Sequence, residues 1–169
     1  VGFGFMDHIS APICEIKPIN RLKFLKNFNT RYLKNGNKYS VRISSSEKFC
    51  RQNNSINISS GIQVYQPKQF WKKLINIFFS FLSIRILGVV IKPFGKIKLT
   101  VIAEQRPLQS RFISLTKEDL PYIKWYKSKK EAQVVLKFAH LVVKELYNNK
   151  YLSKKPKLPT IKKVLNDLI

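Results

Sequence analysis

The stretch Phe70-Trp71-Lys72-Lys73-Leu74-Ile75-Asn76-Ile77-Phe78-Phe79-Ser80-Phe81-Leu82-Ser83, continued by Ile84-Arg85-Ile86-Leu87-Gly88-Val89-Val90-Ile91, admits two readings with different folds. In the first, residues 67–83 form a helix on which Lys72, Lys73, Asn76, Ser80 and Ser83 recur along one narrow stripe. The β-branched run 84–91 is then a strand, and Pro93-Phe94-Gly95 is a turn. Ile97-Lys98-Leu99-Thr100-Val101 alternates apolar and polar and completes a hairpin. In the second reading, residues 74–91 join into one apolar run just long enough to cross a bilayer. Arg85 inside that run would cost about 2.5–3.5 kcal/mol at the bilayer centre, and Gly88 breaks its continuity. The helix-and-hairpin reading is preferred.

Downstream, residues 107–120 are predicted to be helical, with Thr116 capping a turn at Lys117-Glu118-Asp119 and Pro121 marking a boundary. Tyr122-Ile123-Lys124-Trp125-Tyr126 and residues 133–139 are predicted as strands around the basic connection Lys127-Ser128-Lys129-Lys130. Residues 140–147 extend that strand or start a helix, and Asn148-Asn149 interrupts them. Residues 160–169 are a last short helix with Thr160 as its N-cap. Upstream, residues 20–34 carry apolar positions 22, 25, 28 or 24, 28, 32 at helical spacing, ended by Asn35-Gly36-Asn37. Residues 44–60 are rich in Ser and Asn and are expected to be a linker. The expected fold is therefore α+β. A small mixed or antiparallel sheet with two or three helices occupies residues 61–169, preceded by an irregular basic extension and linker over residues 1–60.

Charge limits what such a domain can meet. Across 169 residues there are 32 Lys+Arg against 9 Asp+Glu, a net charge of +23. A soluble domain of this size is comfortable at roughly 2 to 8 charges in magnitude. The excess repels itself unless a polyanion neutralises it; nucleic acid is the first candidate and an anionic membrane surface the second. Lys far exceeds Arg, Ile and Asn are frequent and Gly is scarce, a composition expected from an AT-rich genome. It suits diffuse phosphate contact better than base reading by bidentate Arg.

Three basic clusters carry the expected RNA contacts. The first is Arg21, Lys23, Lys26, Arg31, Lys34, Lys38 and Arg42; the second Lys124, Lys127, Lys129 and Lys130; the third Lys154, Lys155 and Lys157. Tyr32, Tyr39, Trp125 and Tyr126 lie among them and are candidates to stack on exposed bases at about 1–3 kcal/mol each. Catalytic patterns are not found. No Gly-rich phosphate loop or GxSxG elbow occurs, and Glu118 and Asp119 are adjacent, which on a helix separates them by about 100°. They are read as first-turn charges. His140 is read as a structural histidine between apolar strands, and Cys14 and Cys50 as two lone thiols without metal spacing. No enzyme activity, cofactor, metal or small-molecule substrate is expected. Residues 1–13 are apolar but lack a basic start and contain Asp7, unlike a secretory signal; the start at Val1 fits presequence removal or truncation.

From residue 96 onward the expected order is strand, helix, strand, basic hairpin, strand and a last helix. That order, with Leu120-Pro121-Tyr122-Ile123-Lys124-Trp125 leading to Val134-Val135-Leu136-Lys137-Phe138, resembles a mitochondrial thioredoxin-like family. The family includes small proteins of both mitoribosomal subunits and an accessory subunit of respiratory complex I. The resemblance covers residues 96–169 and departs in the long 110–120 region and in lacking an acidic Gly hairpin. It implies a structural role in a mitochondrial complex, with no catalytic residues. The expected function is thus a structural rRNA-binding protein of a mitochondrial ribosome, with rRNA and neighbouring ribosomal proteins as partners. The competing expectation is a supernumerary subunit of an inner-membrane respiratory or ATP-synthase complex, with residues 67–91 in or on the membrane.

Overall fold

The structure is a computed structural model and describes residues 8–33, 35–55, 57–124 and 126–167. Its centre is the strand Ile97–Glu104, paired antiparallel on one edge with His8–Ile16 and on the other with Ile58–Val64. In chain order these are β1 (His8–Ile16), β5 (Ile58–Val64) and β6 (Ile97–Glu104). The short β4 (Ile43–Ser44) pairs with β5, giving the sheet order β1-β6-β5-β4. Residues directly opposite in a ladder share a face. Ala103 faces Ile9 and Ile58, Val101 faces Ala11 and Ser60, and Ile97 faces Ile16, so the alternation seen in β6 lays down one apolar face. The register slips between Pro12 and Cys14, a bulge on the edge strand where a proline costs no ladder bond.

That face is covered by the helix α4 (Lys129–Asn148), whose Ala132, Val135, Phe138, Ala139, Val142, Val143 and Leu146 form a buried stripe at i, i+3, i+4 spacing. Residues 133–139, expected as a strand, lie within it. A short β-branched run such as Val134-Val135 does not distinguish strand from helix; the deciding signal is the capping box Ser128-Lys129-Lys130-Glu131, in which both reciprocal bonds form. His140 is accordingly solvent-exposed on this helix rather than held between strands. The helix ends at the expected Asn148-Asn149, and α5 (Ile161–Asp167) packs on α4 and β1 with Thr160 Oγ1 accepting from Lys163 N.

Residues 107–120 are not a helix. Strands β7 (Phe112–Leu115) and β8 (Pro121–Lys124) form a hairpin, and Thr116 Oγ1 accepts from Glu118 N and Leu120 N to close its turn. Glu118 and Asp119 therefore sit in a hairpin turn, not in a helical first turn. The hairpin is tied to α4 by Arg111, which is fully buried and whose Nη2 donates to both Glu131 oxygens at 2.8 Å and to Tyr126 O at 3.0 Å.

The N-terminal third also departs from an irregular extension. Besides β1, it holds α1 (Arg21–Phe28), capped by Asn20 and burying Phe24 and Leu25, and the small hairpin β2 (Arg31–Tyr32) and β3 (Lys38–Tyr39). Asn35-Gly36-Asn37 is in that hairpin's turn and not at a helix end, since α1 stops at Phe28. The expected linker contains α2 (Glu47–Asn53), where Ser46 Oγ accepts from Phe49 N, and the boundary expected at residue 60 runs through β5. The apolar anchors of this region are too dispersed to show periodicity. Their partner strand lies far along the chain, so pairing rather than propensity orders them.

The opening stretch is one helix, α3 (Phe70–Leu87), and residues 84–87 are its last turn. Gly88 caps it at φ 63, where a Cβ would come within 2.8 Å of Tyr32 O. Residues 89–96 return along the helix without forming a strand of a hairpin. Asn76, fully buried, donates to Phe94 O at 3.1 Å and accepts from Phe94 N at 3.0 Å; Ser83 Oγ accepts from Ile91 N at 3.0 Å. The expected hairpin is replaced because β6 takes β1 and β5 as neighbours. α3 carries Lys72, Lys73 and Arg85, and among the described residues no helix is long and apolar enough to cross a membrane.

Two outcomes follow from buried groups. Burial pushes the Cys14 thiol up from its ordinary 9.0 to about 11. A raised thiol keeps its contribution to stability below pH 9 and loses it between 9 and about 11, because the unfolded chain ionises first. Urea unfolding followed across that range should decline more steeply for the wild type than for Cys14→Ala, and at pH 8 a thiol reagent should label the half-buried Cys50 but not Cys14. Separately, Glu131→Ala leaves Arg111 buried without its counter-charge. It should lower unfolding free energy by about 3 kcal/mol in denaturant titrations, whereas an exposed acid such as Glu118→Ala should change it by less than about 0.5 kcal/mol.

Candidate nucleic-acid interface

Tyr151 joins two of the basic clusters. After α4 the chain turns back, and Tyr151 packs its ring on Phe28 at 5.0 Å and on Phe24 at 6.3 Å between centroids. Ile19 N donates to Tyr151 O, Ser153 N donates to Lys17 O, and Pro18 bridges Leu152. Because Phe24 and Leu25 face inward on α1, Lys23 and Lys26 face outward on it. The first cluster thus meets the start of the third: Lys23 shares a groove with Lys150 and Tyr151, and Lys17 is bonded through its carbonyl to Ser153, next to Lys154. Lys155 Nζ lies 5.0 Å from the centre of the exposed Tyr147 ring, the geometry of a cation over an aromatic face. Lys157 lines the open groove next to this surface with Lys98 and Lys163.

Not every expected contact is available. Arg21 is half-buried and its Nε donates to Lys92 O at 2.9 Å; burial lowers its pKa from the ordinary value. Arg31 donates from Nη2 to Lys26 O and bridges Val89 through the backbone. These two arginines hold the α1 segment onto residues 88–92, together with Tyr32 N donating to Gly88 O at 2.7 Å and Val90 N to Thr30 O at 3.1 Å. Lys38 and Arg42 are exposed on the neighbouring hairpin and its exit. Lys34 and Trp125 lie outside the described residues. Of the aromatics, Tyr39 is exposed and Tyr32 half-buried, while Tyr126 is occupied by Arg111, 4.8 Å from its ring centre.

The second cluster stands apart. Lys124 ends β8 with its Nζ 5.5 Å from the Phe112 ring centre, and Lys127, Lys129 and Lys130 surround the start of α4. The helix rises 1.5 Å per residue, so its length separates this group from the Tyr151 surface by about 30 Å. Lysines in a helical first turn oppose the macrodipole, at about 0.3–1 kcal/mol each, and Glu131 offsets only part of this. A bound anion would relieve that conflict.

Few acids compete for these cations. Ion pairs join Glu15 to Lys96, Glu47 to Arg51 and Glu131 to Arg111, and Glu104 lies 3.7 Å from His8 Nε2. None of them uses Lys23, Lys26, Lys38, Arg42, Lys124, Lys129, Lys130, Lys154, Lys155 or Lys157. Among the described residues no group of three or more His, Cys, Asp or Glu could hold a metal ion.

Lys17, Lys150, Tyr147 and Tyr151 belong to this surface and carry no local signal in the sequence. Lys17 and Lys150 are isolated, and only the reversal at Asn148-Asn149 hints that the chain turns back toward earlier residues. Comparison with family models, with curated proteins and with solved structures finds no match.

Proposed function

We propose that the protein is a structural, non-enzymatic RNA-binding component of an organellar ribosome, held on rRNA by phosphate contacts and flanked by neighbouring ribosomal proteins. The observation that carries this reading is the meeting of two basic segments at Tyr151, with Lys23 beside Lys150 and Lys17 bonded next to Lys154, in a chain of net charge +23. Lys17, Lys23, Lys26, Lys150, Lys154 and Lys155 form the main contact and Lys124 to Lys130 a second one about 30 Å away, a spacing that suits two phosphate tracks of a folded RNA. Shape and backbone are what lysine-rich surfaces of this kind read, with Tyr39 able to stack on an unpaired base. The Lys-, Ile- and Asn-rich composition supports a mitochondrial setting.

The test is the salt dependence of binding to a structured rRNA fragment. Each neutralised phosphate contributes about 0.7–0.9 log units of affinity per tenfold change in salt. The triple variant Lys23→Gln, Lys150→Gln, Lys155→Gln should flatten the slope by about 2 log units, in proportion to three lost contacts. Arg21→Gln should leave the slope unchanged and instead lower the unfolding midpoint, because its guanidinium is spent on Lys92 O. A triple variant with the wild-type slope would overturn the assignment of this surface to phosphate.

A further inference from the structure

The helix α3 has its polarity reversed with respect to an ordinary surface helix. Its polar residues Asn76, Ser80 and Ser83 face the body of the protein and bond the backbone of Ile91 and Phe94. Its large apolar residues face out: Phe70 is 72% exposed, Ile77 and Phe78 are 62%, Phe81 61% and Ile86 68%. At 100° per residue the outward apolar positions span an arc of about 200°. An exposed patch of this kind marks an interaction surface.

We propose that α3 docks flat on an anionic lipid bilayer, with its outer arc among the acyl chains and its flanking cations on the headgroup phosphates. Three observations select this occupant. The arc exceeds half the helix circumference, which a fluid apolar medium can surround more readily than a groove that receives a stripe of about 100°. Between residues 65 and 95 the chain carries Lys68, Lys72, Lys73, Arg85 and Lys92 and not one acid. Within the helix the cations are confined to its ends. Lys72 Nζ rests 5.1 Å from the centre of the Trp71 ring, and Arg85, inside the outer arc but in the last turn of the helix, rests its guanidinium 5.6 Å from that of Phe81, so both long side chains have apolar surface to run along toward the headgroup boundary. Trp71 beside Lys72 is the pairing suited to the headgroup boundary. The helix lies in the plane rather than across it, because the bonds from Asn76, Ser80 and Ser83 hold one side of it to the protein along its length.

The surface shares no residue with the lysines around Tyr151, so the proposal does not depend on the RNA reading. Full-length protein is floated with vesicles of phosphatidylcholine alone and of phosphatidylcholine with phosphatidylglycerol. The wild type should float with the anionic vesicles and weakly or not at all with the neutral ones. In a Trp125→Phe background, brominated acyl chains should quench Trp71. Phe78→Glu with Phe81→Glu, both on the outer arc, should lower partitioning by about tenfold or more with an unchanged circular dichroism spectrum. The same variant should keep the wild-type salt slope on RNA, which separates failure here from failure of the RNA assignment. The proposal is overturned by no flotation of the wild type, by equal flotation of the double variant, or by the absence of Trp71 quenching. A wild-type dimer in light scattering that the double variant disperses, with neither floating, would assign the face to a second copy of the chain and equally overturn it.

Discussion

Strand β6 is hydrogen-bonded along both of its edges, and the rest of the molecule is arranged around that double pairing. With β1 on one side and β5 on the other, its alternate residues and theirs align into a single apolar face. Such a face must be buried, and the wide stripe of α4 buries it. Once α4 is placed, its C-terminal return is directed back to residues 17–19, where the Pro18–Leu152 bridge and the Tyr151 ring close the structure between chain segments far apart in sequence. The N-terminal residues are thus as much part of the core as the C-terminal ones.

The position of α3 follows from the needs of the backbone beside it. Residues 89–95 form no ladder with a strand, and buried peptide groups without partners are costly. The amide of Asn76 is both donor and acceptor and serves both groups of Phe94; Ser83 serves Ile91 N. A helix that spends its polar stripe on such a segment has only its apolar sides left to present outward. Its inversion is therefore built into the chain path. Gly88 and Gly95 make that path possible: at Gly95, φ is 104 and a Cβ would come within 2.0 Å of Tyr65 O.

Electrostatics divides the acidic from the basic residues in a similar way. Glu131, set by the capping box, is consumed by the buried Arg111 and stabilises the hairpin on α4. Glu15, Glu47 and Glu104 pair locally with Lys96, Arg51 and His8. What is left is a surface on which Lys129, Lys130, Lys150 and Lys155, at the ends of α4, enter none of these pairs. Arginines are used differently: Arg21 and Arg111 donate to carbonyls or carboxylate in partly or fully buried places, as the planar fork of guanidinium favours. The lysines carry the free charge.

The amino-acid sequence by itself determined the α+β class, the β6 strand by its alternation, the stop at Asn148-Asn149, the start of α5 at Thr160 and the charge imbalance, because each is a local property of neighbouring residues. It misled at residues 84–91 and 133–139, where β-branched runs fit strand or helix equally and the caps decide, Gly88 inside the first run and the box at residues 128–131 ahead of the second. It misled again at residues 107–120, where a hairpin closes by pairing. Only the tertiary structure decided that β1, β4 and β5 enter the sheet, that Arg21 is spent on the carbonyl of Lys92, that Lys17 and Lys150 join Lys23 around Tyr151, and that α3 turns its apolar side outward. Each of these depends on contacts between residues tens of positions apart. Periodicity reports which side of a segment is apolar, but the partner available in space decides which side is buried.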